Sequence, residues 1–276
     1  MTEGAGVSSH NHETPPSTVI VLGAGASASD GAPVQSELFR EYFQSDTIRD
    51  RVSPGMKEDL KKYFSQLWGI DVDSDNLGDT KFPTFEEALG LLEIAYSRDE
   101  FFKGLSWSDR PLGRAQKLRS HLTALIALII QEKLQRECPK HRELVSKLQQ
   151  SGELLSTVFL SLNYDIIIDN AIEYVTNEIP DYRVPFSPEP HRNGASWEPC
   201  VTLLKLHGSL NWLFCTVCNT LSLFPGHKAA AELPGAPWSF RCSACHEIQI
   251  PIIIPPTFFK VMSNLYLQQI WKRAEE

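Results

Sequence analysis

The chain has 276 residues, 42% of them apolar and 22% charged, which is enough to bury a sizeable core and excludes a peptide-scale scaffold and wholesale disorder. Its net charge of -8 gives no long-range attraction to phosphate backbones or anionic lipid, so nucleic acid is not an expected partner. The longest purely apolar stretch, Ala124 to Ile130, falls far short of the ~20 residues of a spanning helix, and residues 1–17 lack the apolar core and basic start of a signal peptide. The expectation is a disordered tail over 1–17 on a cytoplasmic protein with no membrane partner.

Thr18-Val-Ile-Val-Leu22 is a β-branched run that stops at Gly23-Ala-Gly-Ala-Ser27, which predicts a buried parallel strand followed by a tight turn. Beyond Gly31 and Pro33, the spacing of Leu38, Phe39, Tyr42 and Phe43 predicts a short amphipathic helix. From about Asp46 to Gly152 the pattern is helical throughout, which suggests an insertion rather than a βα unit. Within it Thr84-Phe-Glu-Glu87 reads as a capping box, with Phe85, Leu89, Leu92 and Tyr96 following at helical spacing. A longer helix is expected over Ala115–Leu134, its apolar face marked by Leu118, Leu122, Leu125, Ile126 and Ile129, with Pro111, Gly113 and Pro139 outside it.

The α/β pattern resumes with a strand over Leu154–Leu162 that runs into Asn163-Tyr-Asp165, then a helix over Ile166–Val175. A loop with Pro180, Pro185, Pro188, Pro190 and Gly194 precedes a third strand, Val201–Leu206, which ends at His207-Gly-Ser209. Cys215 to Cys245 brackets an excursion, Ile252–Ile254 reads as a fourth strand, and Asn264–Glu276 as a final helix.

Three groups of residues carry candidate chemistry. Cys215, Cys218, Cys242 and Cys245 form two C-x2-C knuckles separated by 23 residues, a spacing close to that of a four-cysteine zinc ribbon. Two such knuckles close a tetrahedral shell and leave no position for a substrate, so the role is structural; redox pairs or free thiols are the alternative. Gly23-Ala24-Gly25-Ala-Ser27 after a strand fits G-x-G-x-x-G/A, in which small residues let the backbone approach a pyrophosphate, although a plain strand-to-helix turn has the same residues. Asn163, Asp165 and His207 each lie just past a strand's carboxyl end, where open α/β sheets bind ligands. Taken singly they also read as a turn residue, a helix N-cap and a loop histidine.

Together these residues resemble the sirtuin-like superfamily. Gly23 to Ser27 with Gly31-Ala-Pro33 is similar to its nucleotide loop, Ser161-Leu-Asn163-Tyr-Asp165 to its T-Q-N-x-D motif, and Leu206-His207-Gly208-Ser209 to its histidine motif, with the cysteine knuckles following in order. Asn-Tyr-Asp, Leu206 to Trp212 and Pro255-Pro-Thr257 resemble the branch found in bacterial anti-phage defence proteins, which hydrolyses NAD.

The resemblance implies a Rossmann-like domain over 18–45 and 154–276 with a small zinc module at 214–250, and a helical insertion over 46–153. It implies Asn163, His207 and Asp165 as catalytic, and Gly23, Ala24, Gly25, Ser27, Pro33 and Ser209 as the NAD-binding set. The expected activity is cleavage of NAD to nicotinamide and ADP-ribose; an NAD- or ADP-ribose-sensing module without turnover and an NAD-dependent deacylase are the alternatives.

Deacylases carry Asp-Phe-Arg where this chain has Val34-Gln35-Ser36, and F-G-E where it reads Pro251-Ile-Ile-Ile-Pro-Pro256, so the acyl-peptide side differs. The family continues with further strands beyond the point where this chain stops. The expectation is therefore about four strands, with the C-terminal ones missing, and association with a second copy or a partner protein.

Overall fold

Four β-branched residues in Thr18–Leu22 favour a pleated, extended backbone, and this segment is strand β1. The computed structural model describes residues 16–74, 77–98, 111–133, 138–188, 200–226, 240–253 and 264–276. The expected tail up to residue 15 lies outside these, as do Leu134, Pro190, Gly194, Ile254 and Pro255 to Thr257.

β1 pairs in parallel with β2 (Thr157–Ser161), and β2 in parallel with β3 (Thr202–Lys205), in the order β1-β2-β3. Register places Ile20 beside Phe159 and Leu203 on one face, and Val19 beside Val158 on the other. Phe159 and Leu203 are fully buried and Ile20 half-buried, whereas Val19 and Val21 are exposed, so β1, expected as a buried strand, is an edge strand covered on one face.

β1 turns at once into α1 (Ala24–Ala28), and every described element from there to β2 is helical: α2 (Leu38–Gln44), α3 (Asp46–Asp50), α4 (Pro54–Trp68), α5 (Phe85–Ser97), α6 (Pro111–Lys133) and α7 (Pro139–Ser151). The capping box forms as expected, with the Thr84 N–H donating to Glu87 Oε2 at 2.7 Å and the Glu87 N–H to Thr84 Oγ1 at 3.1 Å. α6 starts earlier than its apolar spacing suggests, because proline at the first helical position gives up a donor that has no intrahelical acceptor anyway. Leu38, Phe39, Tyr42 and Phe43 are all buried, and with Leu60, Phe64, Phe85, Leu89, Leu122 and Leu125 they form one core among the helices.

The second core lies on the parallel sheet, where α7, α8 (Ile167–Thr176) and α9 (Leu265–Glu275) contribute Val145, Ile172, Leu267 and Ile270. α9 begins where Asn264 Oδ1 accepts the N–H groups of Tyr266 and Leu267, an N-cap that ties its start to sequence. No helix among the described residues is long and apolar enough to cross a membrane.

The expected fourth strand is placed differently. Ile250–Ile253 (β6) belongs to a separate antiparallel sheet, ordered β5-β4-β6, with β4 (Gly208–Phe214) and β5 (Leu221–Leu223). Among the described residues the parallel sheet has three strands rather than four. The chain leaves it at Lys205, and by Gly208 it is in the second sheet. Gly208 makes that corner: its φ is +83°, and a Cβ there would lie 1.9 Å from the Ile252 carbonyl oxygen. Only glycine tolerates this conformation and this approach of two backbones.

Candidate functional site

The carboxyl ends of β1, β2 and β3 present the Gly23 turn, the Asn163–Asp165 segment and His207, so the three expected segments meet at one edge of the sheet. Their side chains are bonded to one another. Asn163 Nδ2 donates to the Gly23 carbonyl and to Ser27 Oγ, both at 2.8 Å. Ser27 Oγ donates in turn to Asp165 Oδ2 at 2.7 Å, and Asp165 Oδ1 accepts the Ile167 N–H at 3.1 Å, opening α8. Asp165 thereby anchors the loop and starts the helix, while Asn163 keeps its amide oxygen outside these bonds.

The cofactor-binding candidates divide. Ala24 and Gly25 are exposed on the first turn of α1, Gly23 is half-buried at its N-cap, and Pro33 is half-buried beyond its end. Ser27 is buried, with its hydroxyl engaged by Asn163 and Asp165. Ser209 is not on a loop at all: it is a fully buried residue of β4, because the strand starts directly after the Gly208 corner. A Cβ added at Gly23 or Gly25 would meet nothing within 4 Å, and neither residue has positive φ. Neither packing nor backbone conformation therefore demands glycine at these two positions.

His207 is buried within a row of rings. Tyr164 lies 6.3 Å from it on one side and Trp271 of α9 6.0 Å on another, and Tyr164 also meets Phe85 of α5 edge-on at 6.2 Å. Trp271 Nε1 donates to the Leu206 carbonyl at 2.8 Å, fixing the corner from the α9 side. Burial, with Glu86 and Glu93 nearby, pushes the Tyr164 phenol far above its ordinary range, so it stays neutral.

Beneath this layer lies a polar group that sequence reasoning missed. Lys205, with no exposed surface, donates to the Asp165 carbonyl and, at 3.1 Å, to Asp169 Oδ2; Tyr182 donates to Asp169 Oδ1 at 2.6 Å. Burial and the adjacent Asp169 carboxylate raise the Tyr182 phenol well above its usual value. The available signal was a lone lysine inside the largely apolar run Val201–Leu206. Asp30 was also missed: its carboxylate caps α7 by accepting the N–H groups of Lys140 and His141, at 3.0 and 3.1 Å, and contacts His141 Nδ1 at 2.5 Å.

The four cysteine sulfurs lie within 4.8 Å of one another and can hold a metal ion. The nearest sulfurs pair across the knuckles, Cys215 with Cys245 at 3.4 Å and Cys218 with Cys242 at 3.3 Å. That is well beyond a disulfide bond of about 2.05 Å and near the ~3.8 Å edge of a tetrahedral thiolate shell. Burial raises the Cys242 thiol, but the Thr220 hydroxyl and the N–H groups of Cys245 and Ala244 outweigh it and bring it down to about 6; at Cys245 the Glu247 N–H lowers the thiol, but the Cys215 sulfur, burial and the other two sulfurs outweigh it and push it up to about 12.

Fold and site thus define an α/β protein with hydrogen-bonded loops at the carboxyl edge of a three-stranded parallel sheet and a four-cysteine cluster that could hold a metal ion. No protein-family model matches the chain, and no curated protein matches it.

Proposed function

We propose that the chain is an NAD glycohydrolase of the sirtuin-like superfamily, cleaving NAD to nicotinamide and ADP-ribose in the cytoplasm as part of anti-phage defence. The observation that carries this reading is the hydrogen-bonded union of the Gly23 turn with Asn163, beside His207, at the carboxyl edge of the parallel sheet. Such an edge is where open α/β sheets take ligands. The unfilled space before Gly23 and Gly25 supports approach of a pyrophosphate to the backbone there.

In this reading the bond from ribose C1′ to the pyridinium nitrogen breaks with its electron pair going to nitrogen, which releases neutral nicotinamide and leaves an oxocarbenium-like ribose. Water adds to C1′ and gives up a proton, for which a neutral His207 imidazole is the acceptor. Asn163, with its amide nitrogen held by Gly23 and Ser27, offers Oδ1 to the water or to a ribose hydroxyl. Asp165 acts through the loop it anchors.

The four cysteines suit zinc, by thiolate chemistry and by a closed shell with no open position, and the ion's role is to fold the module. A second copy or a partner protein completes the assembly in this account. Release of nicotinamide and ADP-ribose from NAD by the purified chain tests the reading. Saturable NAD or ADP-ribose binding by calorimetry with no release would replace it with a sensing module, and release that depends on an acylated peptide would replace it with a deacylase.

A further inference from the structure

Lys205 has no exposed surface, although a buried ammonium is costly unless fully paired, and replacing a buried ion pair by apolar groups often does a fold no harm. Its placement suggests what it does instead. It is the last residue of β3, two before His207, and its side chain crosses to the Asp165 carbonyl rather than staying within its own strand. The preceding carbonyl, that of Tyr164, accepts the Leu210 N–H at 2.9 Å from the other end of the same corner. Two consecutive carbonyls of the Asn163–Asp165 loop are thus held from the segment that carries His207.

The loop also carries Asn163 and Asp165, whose side chains clasp the Gly23 turn through Ser27. Asp169, on the first turn of α8, orients the ammonium and is itself held by Tyr182. A longer or shorter reach from position 205 would change the spacing between Asn163 and His207.

We propose that Lys205 is a positioning residue: it fixes the Asn163–Asp165 loop against the His207 corner, with Asp169 and Tyr182 aiming its ammonium. The consequence for turnover rests on the hydrolase reading; the consequence for the loop does not.

The test is amide hydrogen exchange on the isotope-labelled full chain, comparing wild type with the double variant Lys205→Met/Asp169→Asn, which removes the two charges together. The Leu210 and Ile167 amides, bonded to the Tyr164 carbonyl and the Asp165 carboxylate, should exchange about tenfold faster or more, while the β1–β2 ladder amides keep their rates. Uniform acceleration of all protected amides would reduce Lys205 to a general stabiliser, and unchanged Leu210 and Ile167 rates would also overturn the proposal. If the double variant does not fold, Lys205→Arg, which keeps the charge but changes the reach, is read at the same amides with the same two outcomes. In NAD hydrolysis the folded variant should lose about tenfold or more in kcat with KM little changed. Absence of turnover by the wild type would remove the hydrolase reading while the exchange rates still decide the role of Lys205.

Discussion

Ser27 and Asp165, 138 positions apart in the chain, are joined hydroxyl to carboxylate at 2.7 Å, and Asn163 closes the triangle onto the same hydroxyl. One small side chain therefore couples the turn after β1 to the loop after β2. Ser27→Ala removes a partner from two buried or half-buried groups and should cost about 1–3 kcal/mol in urea unfolding. Because Asn163 would lose one of its two anchors, NAD turnover should fall by about tenfold or more at temperatures where the variant is fully folded. Unchanged turnover in a destabilised variant would reduce the triangle to packing.

Asp30 supplies a tertiary N-cap to α7, linking the segment after α1 to the helix that leads into β2. Burial raises its carboxyl, but the His141 ring, the Lys140 and His141 N–H groups and the charge of His141 outweigh it, leaving the group below its ordinary value. A depressed folded value means the contribution is present above the unfolded carboxylate value and is lost as pH falls through the folded one. Asp30→Asn should therefore cost about 1–2 kcal/mol near neutral pH, and the difference from wild type should shrink under acid. Denaturation midpoints across that range check it; a constant difference would contradict the assignment.

Gly208 sits where the chain passes from the parallel to the antiparallel sheet. Gly208→Ala combines a positive φ with a Cβ 1.9 Å from a backbone oxygen that cannot move aside, so a loss of at least about 3 kcal/mol is expected. Thermal melting or loss of soluble protein reports it, and a variant that melts like wild type would mean the corner is not built as described.

Elemental analysis of protein purified without chelator should find one zinc ion per chain. Cys215→Ser with Cys242→Ser should abolish it and lower the melting temperature, since binding energy at a closed site is folding energy. Metal-free protein of undiminished stability would contradict the structural role.

The sequence made the strands of the parallel sheet legible because β-branched and aliphatic runs ended in turn residues, and the α5 start because Thr84 and Glu87 cap reciprocally in chain order. The cysteine cluster was legible because knuckle spacing is itself a geometric statement. β4 was hidden: Gly208 to Phe214 follows Lys205 so closely that its start reads as the polar loop after β3, and only the Gly208 corner separates the sheets. Ser209 was consequently expected on a loop. Lys205 with Asp169, and Asp30 with His141, were invisible because such pairings join residues 36 and 111 positions apart and follow no local period.

Hydrolysis of NAD by this chain is tested by incubating the purified protein with NAD and separating the products, beside Asn163→Ala and His207→Ala variants shown to be folded. Nicotinamide and ADP-ribose should appear in equal amounts from the wild type, with a loss of about a hundredfold or more in each variant. Equal turnover by all three proteins, or none by the folded wild type, would contradict it.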